Sequence, residues 1–153
     1  MITHMSHTTL FVLDQDKAYD FYVKTLGFKV HTDATMPNGF RWLTVTAPGA
    51  PDFEIVLMPI LHESMKKSPE MPEGFDQETI DAIVFLLKKG ILGSGVFNTN
   101  DCRATYEELK AKGVQFKGEP KEQFYGTEAV MYDGCGNWFS MTQPKEMPAG
   151  GWQ

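Results

Sequence analysis

The side chains of this 153-residue chain best placed for chemistry are one histidine, two glutamates and a set of aromatics. His7 opens the segment HTTLFV, in which Thr8, Leu10 and Val12 alternate with His7, Thr9 and Phe11. One face of such a strand suits a covered core and the other carries polar and aromatic groups. An imidazole on that second face can serve as general base, as substrate hydrogen-bond partner or as metal ligand; it is equally compatible with a hydrogen-bonded interior position that does no chemistry. Glu54 stands second in FEIVLMP. Turned into apolar surroundings, its carboxyl would rise in pKa and could act as a base, whereas at a strand start beside a turn it would be solvated. Glu128 fits either a carboxylate meeting a ligand cation or an edge-strand surface charge. Trp42, Phe124, Tyr125 and Trp138 fit aromatic walls or core packing. Cys102 falls in the first turn of a helix, where the dipole lowers a thiol pKa, but a small buried hydrophobe satisfies the same position. His4, His31 and His62 have no partners at a recognisable spacing.

The elements that must position these groups are written twice. From His7 to Phe28 and again from Gly93 to Phe116 the chain reads strand, acidic or amide cap, amphipathic helix, glycine stop, second strand. The stops Gly27 and Gly113 lie 113 − 27 = 86 residues apart, a spacing suited to two fused half-domains. In the first copy Asp14 or Asp16 caps the helix and Ala18, Phe21, Tyr22 and Leu26 fall at helical spacing. FKVHTDAT, FRWLTVTA and FEIVLMP follow, separated by turns at Pro37-Asn38-Gly39 and at 48–52. In the second, Asp101 or Asn100 caps, and VQFKGEP, GTEAVMYD and NWFSMTQ are the expected strands, with Asp133-Gly134-Cys135-Gly136-Asn137 as the last turn. The order is βαβββ in each: 1–58 for the first module and 93–144 for the second. Residues 59–92 connect them as a Pro- and Met-rich stretch and a helix from Asp76 to Gly90, either a linker or a lid. Residues 145–153 read as a tail, in which Trp152 would be costly to leave exposed and is expected to pack on a partner chain or on the lid.

Composition narrows the partners. With 20 acidic and 14 basic residues the net charge is −6 and no Lys/Arg cluster interrupts it, which argues against nucleic acid and tolerates a cationic small molecule. No apolar run approaches the ~20 residues of a membrane span and the N-terminus is unlike a signal peptide, so the expectation is a cytoplasmic protein with no membrane partner. Two cysteines give neither metal-ligand spacing nor a disulfide framework.

The string H-x-x-L-x-V-x-D, the following FY and LGF, the second βαβββ unit and the closing D-G-x-G-N turn before a strand ending in QP resemble the superfamily of glyoxalases, bleomycin-resistance proteins and extradiol dioxygenases, the vicinal oxygen chelate proteins. The resemblance implies an α+β fold of two βαβββ modules forming curved mixed sheets around a cleft, and a homodimer. Metal-using members hold a divalent ion with residues from the first and last strand of each module. Of those positions only His7 matches here. The usual carboxylate position falls at Val56, and Glu54 lies two residues earlier on the same face, about 6.6 Å away at strand rise; Ser94 and Ser140 stand at the second module's positions. One strong donor does not hold a catalytic ion, which typically needs three. The reading is therefore of a protein with no cofactor, its metal site largely lost. It would bind a small molecule in the inter-module cup, with Trp42, Val56, Ser94, Asn98, Tyr125, Glu128, Trp138 and Ser140 as ligand contacts. The alternative is a lyase, isomerase or dioxygenase of the same superfamily using His7 and Glu54 as catalytic groups, with or without a divalent metal.

Overall fold

The computed structural model describes residues 1–69 and 72–146, so the reading of Trp152 lies outside the described residues. The fold is α+β with two sheets. Two compact units are formed: Met1–Leu92 with Gly134–Asn137, and Gly93–Asp133 with the chain from Trp138 onward.

The first unit begins with β1 (His7–Val12), α1 (Gln15–Tyr19), β2 (Lys29–Thr35), β3 (Arg41–Thr46) and β4 (Glu54–Pro59). The sheet order is β1-β4-β3-β2, with β1 parallel to β4 and the other pairs antiparallel. Register puts Thr8 beside Ile55 and Leu10 beside Leu57 on one face, and His7 beside Glu54 and Thr9 beside Val56 on the other. Leu10, Val12, Ile55 and Leu57 are buried, as the alternation requires. A fully buried side chain such as Leu57 contributes about 1.5–3 kcal/mol relative to exposure. A bulge between Val30 and Thr32 interrupts the β2–β3 ladder at His31.

Asp14 caps α1, its carboxylate accepting from the backbone N–H groups of Asp16 and Lys17. The helix then widens into a π-type segment over Asp20–Thr25, closed by Leu26 N–H to Phe21 O, and ends at Gly27 with φ 76°. That widening explains a discrepancy of one residue between the two copies. The capping aspartates are 101 − 14 = 87 apart but the glycine stops only 86, so the first module carries one extra residue between cap and stop, and the wider turn absorbs it.

Between the modules the chain is anchored. A 3₁₀ turn at Glu63–Met65 is capped by His62, whose Nδ1 accepts from Ser64 N–H. The helix α2 (Gln77–Lys89) runs from Asp76 to Gly90 in the left-handed conformation. Ile60, Ile80 and Leu87 form a cluster with Phe11, Leu13, Phe75, Ile83, Val84 and Leu92. Phe11 lies on the same face of β1 as His7, and Phe75 meets it edge-on at 5.8 Å. The connecting segment thus covers the Phe11 end of that face.

The second unit contains β5 (Leu92–Asn98), α3 (Cys102–Ala111), β6 (Gln115–Phe116), β7 (Lys121–Gln123), β8 (Gly126–Tyr132) and β9 (Asn137–Pro144), in the sheet order β5-β9-β8-β6 with β7 also on β8. Of the expected strand VQFKGEP only Gln115–Phe116 is formed, as β6, and pairing resumes after it as β7, because Gly118 weakens the strand and Pro120 has no N–H to donate. Phe97 stacks on Phe139 at 4.5 Å on the face that packs against α3's side of the sheet, together with buried Met131 and Met141. Among the described residues no helix is long and apolar enough to cross a membrane.

Candidate functional site

The second sheet carries a pocket of about 540 Å³ lined by Gly93, Val96, Tyr125, Glu128, Trp138 and Ser140, with Gly95 and Thr142 completing it. That size lies within the range of small-molecule sites, and most of its lining is apolar. The alternation of β9 produces half of this surface. Trp138, Ser140 and Thr142 face the pocket, while Phe139 and Met141 are buried in the core. Gly93 supplies the seat for the indole: a Cβ built there would lie 2.5 Å from Trp138 Cζ2.

The polar groups of the pocket converge on Glu128. Tyr125 donates its phenol to Oε2 at 2.8 Å and Ser140 donates its hydroxyl to Oε1 at 2.5 Å. Ser140 Oγ is also 2.8 Å from Thr142 Oγ1. Since the one Ser140 proton is given to the carboxylate, Thr142 is the donor in that contact. The hydrogen bond to Glu128, followed by burial, holds the Tyr125 phenol above the usual tyrosine range. Glu128 lies on β8, between β9 and the β6/β7 pair, not at a sheet edge.

The first sheet holds a different constellation. His7 Nε2 is 3.2 Å from Glu54 Oε1, and His31 Nδ1 is 3.1 Å from Oε2. Ser6 Oγ lies 2.8 Å from His7 Nδ1. The network places the His7 proton on Nε2, facing the carboxylate, with Nδ1 accepting from Ser6. The Glu54 side chain is only 14% exposed and the imidazoles 44% and 54%, so the carboxylate is not the solvated strand-start charge that the sequence allows. Parallel pairing of β1 with β4 puts His7 directly beside Glu54. The bulge in β2 contributes His31, which strand alternation alone does not reveal.

The sequence-selected residues therefore fall into separate groups. His7 and Glu54 meet on the first sheet, where Val56 and its cross-strand partner Thr44 are buried. Trp42 is half-buried on β3 opposite Ala34. Tyr125, Glu128, Trp138 and Ser140 share the second sheet's pocket. Ser94 and Asn98 lie on β5 outside its lining, and Phe124 is 68% exposed. Gly93, Gly95, Val96 and Thr142 escaped the sequence reading; the Gly-Ser-Gly run was the available signal. Cys102 is fully buried, donates to Met141 O, and has its thiol pushed up by desolvation, which rules out an activated nucleophile.

The fold family implies a divalent ion, and His7, His31 and Glu54 are the ionisable groups of the first sheet to weigh against it. Both Glu54 oxygens face imidazoles, and among the described residues no three His, Cys, Asp or Glu side chains are arranged to hold an ion. The polar side chains of β9 that face the pocket, Ser140 and Thr142, are hydroxyls, weak metal donors at neutral pH.

Comparison with known proteins agrees with this architecture. The family model for the Glyoxalase/Bleomycin resistance protein/Dioxygenase superfamily matches residues 4–141. The uncharacterized protein YurT of Bacillus subtilis (strain 168) is 34% identical over 137 residues, 89% of this chain and 95% of YurT. The crystal structure of UcmS2 is 43% identical with a TM-score of 0.78, covering 93% of this chain and 98% of that one. TnmS3, an antibiotic binding protein from Streptomyces sp. CB03234, is 32% identical with a TM-score of 0.67, covering 94% and 98%. The chain belongs to the glyoxalase/bleomycin resistance protein/dioxygenase superfamily.

Proposed function

We propose that the chain binds a small, ring-containing molecule in the pocket of its second sheet and does so without a metal ion. The observation that carries this reading is the Trp138 indole seated on Gly93 at the wall of a largely apolar 540 Å³ pocket with one carboxylate inside it. Its likeness to an antibiotic binding protein supports an antibiotic-like ligand. The acidic composition supports the absence of a nucleic-acid partner, and the family resemblance supports a homodimer, which native mass spectrometry would report together with any retained ligand.

The test uses three naphthalene probes of one ring size: 1-naphthylmethylamine, 1-naphthalenemethanol and 1-naphthoate. Calorimetric titration should show at least one of them binding, and Trp138→Ala should weaken it about tenfold or more, through lost stacking and burial. Probe binding indifferent to Trp138→Ala overturns the reading. Thermal melting is expected to be unchanged by EDTA or by added Mn(II), Zn(II) or Ni(II); a rise in Tm abolished by His7→Ala would instead establish a metal site.

The contacts of His7 and His31 with Glu54 favour a second reading, acid–base catalysis on the first sheet. It requires that a bound molecule be chemically altered, so mass spectrometry of retained ligand before and after incubation, with Glu54→Gln as control, separates it from binding alone.

A further inference from the structure

We infer that the second-sheet pocket selects ligands that donate hydrogen bonds, above all protonated amines, and disfavours ligands that only accept them. This rests on the binding reading above and names the chemical class that reading leaves open.

The direction of each proton in the pocket sets what it can accept and what it can donate. Three hydroxyl groups lie at or in the pocket: Tyr125, Ser140 and Thr142. The Tyr125 proton goes to Glu128 Oε2 and the Ser140 proton to Oε1. Thr142 then gives its proton to Ser140. Each hydroxyl has one proton, so all three donors are consumed inside the network, and what they present outward is lone pairs. Glu128 is acceptor-only when ionised, and its two oxygens offer about four lone-pair sites, of which the network uses two. The rest of the lining, Trp138, Val96, Gly93 and Gly95, includes a single side-chain donor, the indole N–H. The pocket can therefore receive hydrogen bonds at its carboxylate and has little to give.

Charge acts in the same direction. A carboxylate on the wall of a largely apolar pocket favours a cation and opposes an anion. Lys121, the cross-strand partner of Glu128 on β7, and Lys117 line a separate pocket of about 280 Å³ that also touches Glu128, and neither is among the residues lining the 540 Å³ pocket. An ammonium donating to Glu128 with its ring on Trp138 would use the polar and apolar parts of the site together.

The three naphthalene probes test this with the full-length protein, because ring and size are held nearly constant while the substituent changes from ammonium to hydroxyl to carboxylate. The amine should bind about 10- to 100-fold tighter than the carboxylate, with the alcohol between them. Glu128→Gln, which keeps the shape and removes the charge, should erase most of that difference. Glu128→Asp should restore part of the amine preference, and an unchanged melting temperature for either variant shows that the fold is intact. Equal affinity for amine and carboxylate, with Trp138→Ala still weakening both, would overturn this inference and leave the binding reading standing. A preference for the amine that survives Glu128→Gln would also overturn it, and probes insensitive to Trp138→Ala would remove both.

Discussion

The two sheets carry the same kind of scaffold and treat a carboxylate in opposite ways. On the first, Glu54 is held between two imidazoles, each half-exposed, and the Phe11 end of the same face is covered by the connecting segment. On the second, Glu128 is held by hydroxyls within an open, aromatic-walled pocket. Counting from the capping aspartates, His7 corresponds to 7 + 87 = 94, a serine. The strand that opens the first module supplies an ionisable ring, and the one that opens the second supplies Gly-Ser-Gly and room for an indole. The comparison teaches that divergence between repeated modules is concentrated on one face of each sheet, since the opposite face must keep Leu10 and Phe97 packed in their cores.

The sharpest way to break this contrast is at Gly93. Gly93→Ala places a Cβ 2.5 Å from the indole and should cost about 1–3 kcal/mol in urea unfolding while weakening naphthalene-probe binding. His7→Ala should leave probe affinity within about twofold, as a residue outside that pocket. Equal losses from both substitutions would mean that the two faces act as one site. A smaller effect is expected from Glu54→Ala. It leaves His7 and His31 without their carboxylate but largely accessible to water, so the cost should be about 1 kcal/mol, or about 2–4 °C in Tm.

The smallest effect is spectroscopic. Tyr125 is held above the usual range because its proton is bonded to Glu128, so the neutral phenol is the form the fold favours. That contribution to stability is fully present below the ordinary tyrosine value of about 10 and is lost as pH rises through the higher folded value. In Glu128→Gln the phenolate absorbance of Tyr125 should appear at lower pH than in the parent protein. No change would mean that the Tyr125–Glu128 contact does not persist in solution.

Much of the fold could be read from local chemistry. Asp14, Asp76 and Asp101 cap helices, and Gly27, Gly90 and Gly113 adopt the positive φ that ends them, because both functions depend on a few neighbouring residues. Of the residues lining the second-sheet pocket, Tyr125, Glu128, Trp138 and Ser140 are named from the sequence, the last two through the alternation of β9. Alternation failed at irregularities. His31 has no partner at a recognisable spacing in the sequence, yet it lies at the bulge of β2 and meets Glu54. Glu128 was open to an edge-strand reading because the neighbouring β6 and β7 are too short and interrupted to read as one strand. Gly93 was invisible for another reason: its role is the absence of a side chain, and only the position of Trp138 gives that absence meaning.

The seating of Trp138 on Gly93 also sets the order in which this surface can change. A side chain larger than hydrogen at position 93 meets the indole at once, so such a substitution carries its full cost while Trp138 is present and is relieved when Trp138 is replaced by something smaller. The reverse sequence is open, because shrinking Trp138 first creates space and does not cause a collision. While the tryptophan is kept, glycine is the least costly residue at 93, and a polar or ligating side chain there is accommodated more readily once the aromatic wall has been given up.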